Sequence, residues 1–198
     1  MTVRSAILAI LTMGPAYGLQ LAAEFRRRTG GAEEVVDAQM YATLGRIERD
    51  GVTRKLPKDA SGKVRYELTE RGRAEAEAWL AAPVPQDAPG ARDELALKVT
   101  LAATLPGADA PGLIAAQAAL ARDELAAALA AASDDLLADV VLARRRAALQ
   151  AELAWLGEAR TRLGGLVPFG YAPPPKRGRR SKAPHAPQGL QERDTPDE

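Results

Sequence analysis

The chain has 198 residues, near-neutral at a formal net charge of +1, with 46% hydrophobic residues but only 4% aromatic. It contains no cysteine and a single histidine, His185. Disulfides, thiolate metal sites and thiol nucleophiles are thereby excluded, and a Ser-His-Asp triad is unsupported, so neither an enzyme nor a cofactor is expected.

From the N-terminus, Val3, Ile7, Leu8, Ile10 and Leu11 recur at near-helical spacing and predict a helix that stops before Gly14-Pro15. This apolar run is too short to span a bilayer, so a cytoplasmic protein is expected. The stretch AYGLQLAAEFRRRTGG predicts a second helix, with Leu19, Leu21, Ala22 and Phe25 inward and Gly30-Gly31 as its stop. DAQMYATLGRIERDG predicts a third, with Asp37 as N-cap and Gly51 just past the end. The period then changes. VTRKLP and KVRYELT alternate apolar and polar residues around the turn-rich KDASG, which predicts a β-hairpin. Thr69 opens a fourth helix reaching about Leu80.

A Pro/Ala/Gly-rich joint, AAPVPQDAPGARDE, separates this block from three further helical stretches. The last runs from a cap at Ser133 or Asp134 to Gly164-Gly165, with Leu142, Leu149, Leu156 and Leu163 repeating every seventh residue. Such a repeat suggests a helix–helix seam, either within one subunit or between two. Leu153 and Trp155 lie beside it, and together these six side chains form the expected dimer interface. From Ala172 onward almost no core-forming residue remains, and disorder is expected. That tail carries KRGRRSK, read either as a solvated segment or as a minor-groove arm.

The third helix is the most informative element. At about 100° per residue, Met40, Leu44 and Ile47 share one stripe, while Gln39, Ala42, Arg46 and Arg49 lie opposite, with Tyr41 and Thr43 on the flanks. Arg and Gln on such a face suit base edges in a major groove, and flank hydroxyls suit phosphate oxygens. Arg54, Lys55, Lys58, Lys63 and Arg65 make the hairpin basic, as a ribbon gripping the DNA backbone would be.

The segments AILAILTMGPAYGLQLAAEF, MYATLGRIERDGV and KVRYELTERGRAEAEAWL resemble the N-terminal domain of the PadR family of bacterial transcriptional regulators. RDELALKVTLAA and AELAWLGEARTRL are similar to the helical dimerisation domain of its longer members. The resemblance implies a mainly α fold: a winged helix-turn-helix domain with a two-stranded wing over 1–82, an all-α dimerisation domain over 91–166 and a tail over 172–198. It implies that Tyr41 contacts DNA, that Gln39, Thr43 and Arg46 face the groove, that Lys63 and Arg65 lie on the wing, and that Tyr17 sits near the DNA backbone or the core edge. It further implies a homodimer on a double-stranded operator, acting as a repressor, with a phenolic or drug-like effector as a possible release signal. One departure is the acidic EEVVDAQM ahead of Tyr41, where the family has a small Ser/Asn-x-Gly start. That acidity and the modest net charge leave open a winged-helix adaptor that binds protein and not DNA.

Overall fold

The computed structural model describes residues 2–31, 35–86 and 90–175. The elements run α1 (Thr2–Leu11), β1 (Ala16–Tyr17), α2 (Gly18–Arg28), α3 (Asp37–Arg49), β2 (Thr53–Lys55), β3 (Arg65–Leu68), α4 (Glu70–Ala81), α5 (Ala91–Thr104), α6 (Ala110–Ala130) and α7 (Leu136–Leu163). The mainly helical winged fold is as the sequence implied. Glu33, Glu34 and the basic cluster Lys176–Lys182 lie outside the described residues.

Helix α1 is the hub of the N-terminal domain. Ala6 through Leu11 are all buried, more than the spacing of its larger side chains suggested, because α2, α3, α4 and α5 all pack around it. One core joins these residues to Leu21 and Phe25 of α2 and to Met40, Leu44 and Ile47 of α3. Helix α3 ends in a Schellman motif. Gly51 takes φ +71, its N–H bonds the Glu48 carbonyl, and the Val52 N–H bonds that of Ile47. The left-handed conformation explains why glycine stands there, and buried Val52 supplies the accompanying apolar contact. Thr69 caps α4 by accepting from the Gly72 N–H at 3.2 Å. Gly72 is required for another reason: a Cβ there would lie 1.9 Å from the Val52 carbonyl oxygen.

Three features differ from the sequence reading. The wing has three strands, ordered β1-β3-β2 and antiparallel, because Ala16 and Tyr17 pair with Tyr66 and Arg65 and do not begin α2. Asp37 is the first helical residue of α3 and Val36 its cap, with no side-chain cap bond, so Asp37 acts through its charge at the positive end of the helix. The cap of α7 is Asp135, whose carboxylate accepts from the Leu137 N–H at 3.0 Å, one position beyond Ser133 or Asp134.

The joint at 83–90 does not separate two cores. Leu97, Leu101 and Leu105 of the α5 segment complete the N-terminal core, while Leu95, Val99 and Ala102 pack with Leu113 and Ile114 of α6 and Leu156 of α7. Helix α5 is therefore apolar on two faces and serves both. Lys98, buried between them, donates to the Ala82 carbonyl at 2.6 Å and lies over the Trp79 ring. Burial pushes its amine below the ordinary lysine value.

The leucine repeat turns inward. Leu149 packs with Ala121 and Ala128 of α6, with Leu125 and Leu153 at the margin. Leu156, with Leu163 beside it, joins the core shared with α5. The seam expected between subunits is thus formed inside one, where alanines on α6 let the leucines of α7 approach closely. Leu142 is half-buried, and Trp155 is partly exposed on the other side of the helix.

Candidate nucleic-acid interface

The outer face of α3 presents Gln39, Ala42, Arg46 and Arg49 to solvent. The Met40–Leu44–Ile47 stripe fixes this orientation, since all three side chains are fully buried. Thr43 is not on the reading face. It is 8% exposed, and its hydroxyl donates to the Gln39 carbonyl at 2.8 Å within the helix. Tyr41 occupies the opposite flank and remains 44% exposed. Its ring lies against Gly18, where a Cβ would come within 2.7 Å of Cε1 and 3.0 Å of Cζ. The absence of a side chain at the start of α2 thus gives the tyrosine its seat, and its hydroxyl makes no hydrogen bond within the protein among the described residues.

The wing turn is organised by Asp59. Its carboxylate accepts from the Ser61 N–H at 2.8 Å, the Ser61 hydroxyl at 2.7 Å and the Lys63 N–H at 3.0 Å. The Tyr17 hydroxyl donates to the same group at 2.5 Å. These donors, the tyrosine foremost, hold the Asp59 carboxyl well below the usual carboxylate range, and the bond raises the Tyr17 phenol in turn. Tyr17 is therefore a strut between β1 and the wing tip, with its hydroxyl already engaged. Lys63 lies over its ring at 5.8 Å.

Two of the five wing cations are neutralised locally: Arg54 pairs with Glu67 at 2.5 Å and Lys55 with Glu48 at 2.6 Å. Lys58, Lys63 and Arg65 are exposed and form no salt bridge among the described residues, as is true of Arg46 and Arg49 on α3. Unpaired cations thus stand exposed on the outer face of α3 and on the wing, and Tyr41 and Lys63 line one cleft between them. Such an arrangement suits a polyanion with readable edges.

Sequence reading missed a set of residues behind this face. Gln20, Glu24 and Arg28, four apart on α2, are buried polar side chains. They hold the segment after α7. Arg28 donates to Glu24 at 3.0 Å, to the Thr104 carbonyl at 2.6 Å and to the Phe169 carbonyl at 2.7 Å. Glu24 accepts from the Ala172 N–H at 2.7 Å, and Gln20 donates to the Ala172 carbonyl at 3.1 Å. The guanidiniums of Arg27 and Arg28 lie 4.2 and 4.5 Å from the centroid of the Phe169 ring. The Tyr171 hydroxyl lies 3.0 and 2.9 Å from the carbonyl oxygens of Ile10 and Gly14, which share its one proton. The expected tail thus begins as a docked strap, through Ala172. The only available signal was the four-residue spacing of Gln20, Glu24 and Arg28 on one face.

A three-helix core, a β-wing and an exposed cationic helix define a winged helix-turn-helix protein with a second helical domain joined through α5. Residues 7–78 match the model of the Transcriptional regulator PadR-like family, and residues 91–164 match that of Virulence activator alpha C-term. The N-terminal domain therefore belongs to the PadR-like family of transcriptional regulators. Among solved structures it is similar to Bacillus subtilis PadR in complex with operator DNA, at 22% identity and a TM-score of 0.38, covering 82% of this chain and 99% of that one. The Vibrio cholerae virulence activator AphA is 19% identical, with a TM-score of 0.36 and coverage of 83% and 99%. A transcriptional regulator from Clostridium thermocellum is 21% identical, with a TM-score of 0.37 and coverage of 38% and 74%. No curated protein matches the chain. No described helix is long and apolar enough to cross a membrane.

Proposed function

We propose that this regulator binds a two-fold operator in duplex DNA as a homodimer and represses by occupying it. The observation that carries the reading is the outer face of α3, where Gln39, Arg46 and Arg49 project without intramolecular salt bridges among the described residues, next to the unpaired cations of the wing. Gln39 and Arg46 are the base readers, Tyr41 donates to a phosphate, and Lys63 and Arg65 hold the neighbouring backbone.

Dimerisation is assigned to a different part of α7 from the leucine repeat. Leu136, Leu137, Val140 and Val141 are 74, 75, 59 and 67% exposed, and their spacing gathers them on one side of the helix. Exposed apolar clusters of this kind mark protein contacts. Two copies joined there present two α3 helices, which reach successive major grooves when about 34–36 Å apart.

The effector site in this reading is a cleft of about 350 Å³ lined by Gln86, Leu95, Ala148, Ala151, Glu152 and Trp155. Its Trp155 wall suits an aromatic ring, and Glu152 disfavours an anionic ligand. Bacillus subtilis PadR has been solved with p-coumaric acid. A ligand wedged between α5 and α7 would act on the N-terminal domain through α5.

The test is footprinting on the DNA upstream of the protein's own coding sequence, with Arg46→Ala and Lys63→Ala as comparisons. Loss of Arg46 should weaken the protected site by about 1–3 kcal/mol while largely sparing random duplex. Loss of Lys63 should weaken both alike and reduce the salt slope by about one. A chain that binds no duplex, and instead retains a protein partner through this face, would favour the adaptor reading.

A further inference from the structure

We propose that Tyr17 is a positioning residue for DNA binding: it tethers the tip of the wing, so that the tip's cations, Lys63 above all, stand at a fixed place relative to Tyr41. The inference rests on the DNA-binding reading above, and it gives the Tyr17 hydroxyl no contact with the duplex. The ladder between β2 and β3 ends with the Leu56 N–H on the Arg65 carbonyl at 2.9 Å. Beyond it, residues 57–63 project as a tip that carries Lys58 and Lys63, both exposed. The tip is closed on itself. The Asp59 N–H bonds the Lys63 carbonyl and the Gly62 N–H bonds the Asp59 carbonyl, each at 2.9 Å. The Asp59 carboxylate accepts from the Ser61 and Lys63 N–H groups. Among the described residues, one hydrogen bond alone joins this tip to another element, that from the Tyr17 hydroxyl to Asp59 at 2.5 Å.

Tyr17 is itself held firmly. As the last residue of β1 it pairs with Arg65 in the sheet, and the next residue, Gly18, opens α2 and seats the Tyr41 ring. Two adjacent residues thus set two exposed groups that come from different elements, Tyr41 on α3 and Lys63 on the tip. Both groups line the same cleft of about 260 Å³, and no carboxylate lines it with them. The Lys63 amine lies 5.8 Å from the centroid of the Tyr17 ring, so the side chain that holds the tip also faces the cation. A hydrogen bond to an ionised carboxylate is stronger than one between neutral groups. Without the hydroxyl the turn stays closed through Ser61 and Lys63, but it is free to swing on the ends of β2 and β3. Strand β2 is only three residues long and offers little resistance. A swinging tip must be ordered anew each time the duplex binds, and that ordering costs affinity.

The probe is a random-sequence duplex of about 30 base pairs, a length that covers more than two helical turns. Affinity would be measured against salt for four full-length forms: the parent, Tyr17→Phe, Lys58→Ala/Lys63→Ala, and the triple variant. Tyr17→Phe keeps the ring that faces Lys63 and removes only the tether. It should bind about three- to tenfold more weakly than the parent, the cost of re-ordering a freed segment. Its salt slope should fall by up to about 0.9 for each phosphate contact that the tip no longer holds. In the background lacking both tip cations, the same substitution should change affinity by less than about twofold, because the groups it positions are gone. Without DNA, trypsin should cut after Lys58 or Lys63 several-fold faster in Tyr17→Phe than in the parent, since local opening exposes the tip. An unchanged affinity of Tyr17→Phe would overturn the positioning role. An equal loss in both backgrounds would also overturn it, since a direct contact of the hydroxyl or a general loss of structure does not depend on the tip cations. Unaltered cleavage would overturn the tether. Each of these leaves the DNA-binding reading intact, whereas a parent chain that binds no duplex would overturn both readings together.

Discussion

Arg28→Met is the sharpest test of the strap as a structural element. Methionine keeps much of the aliphatic volume and removes the charge and its donors. In the native chain the Arg28 side chain is completely buried and paired with an equally buried Glu24 at 3.0 Å. Breaking such a pair by removing one partner costs about 3–5 kcal/mol, because the remaining charge is stranded. Here Glu24 keeps Arg27 at 2.7 Å and the Ala172 N–H at 2.7 Å, which places the electrostatic loss near the lower limit. The Thr104 carbonyl keeps the Phe169 N–H at 3.1 Å, but the Phe169 carbonyl loses its short donor, adding about 1 kcal/mol. The expected destabilisation is about 4 kcal/mol, a large part of the roughly 5–15 kcal/mol typical of a folded domain. For a chain of this size that corresponds to a fall in Tm of about 8–16 °C. Urea denaturation of the full chain followed by circular dichroism would measure it, with Glu24→Gln/Arg28→Met as the control. The double variant should recover a substantial part of the loss, since it strands no charge. A loss below about 1 kcal/mol for Arg28→Met, the scale of an exposed pair, would refute the reasoning.

Three further outcomes are expected. Tyr41→Phe should keep its seat against Gly18 and lose one charge-assisted hydrogen bond, lowering operator affinity by about 0.5–3 kcal/mol with an unchanged Tm; titration at fixed salt checks it. Val140→Glu should abolish the dimer while leaving helicity intact, and sedimentation as a function of concentration would show it, a persisting dimer placing the interface elsewhere. Burial, then the nearby Glu24, raises the Tyr171 phenol well above its ordinary value despite an opposing effect of Arg28. The folded chain therefore holds that proton more tightly than the unfolded chain, and stability falls as pH rises above about 10. In a spectrophotometric titration Tyr171 should ionise last of the four tyrosines, after Tyr17 and Tyr66, which are also raised, and Tyr171→Phe should remove that last step.

The helices and the wing were legible because each carries local chemistry. Met40, Leu44 and Ile47 define a stripe, and Gly51 marks a left-handed exit. Thr43 was misplaced for a geometric reason. At about 100° per residue it sits some 40° from Ile47, while Tyr41 sits some 60° from Leu44. So small a difference does not tell from sequence which flank the neighbouring helix covers. The leucine repeat records that α7 packs along another helix, but its period is the same whether that helix belongs to the same chain or to another. Strand β1 is two residues long and has no measurable period. The strap was illegible because Gln20, Glu24 and Arg28 look like a solvated face until Phe169–Ala172, some 140 residues later, is brought against them.

The two-faced burial of α5 bears on how such regulators can be recombined. The Pro-rich stretch before it looks like a natural place to join the head of one protein to the body of another. A hybrid cut there would carry α5 from the body donor, and Leu97, Leu101 and Leu105 would enter a core shaped around another protein's α1. A head taken from this chain would also lose Phe169–Ala172, the partners of its buried Glu24 and Arg28. The transferable unit is therefore the head together with α5 and the closing segment. Specificity swaps that leave the chain architecture alone are better confined to the outer face of α3.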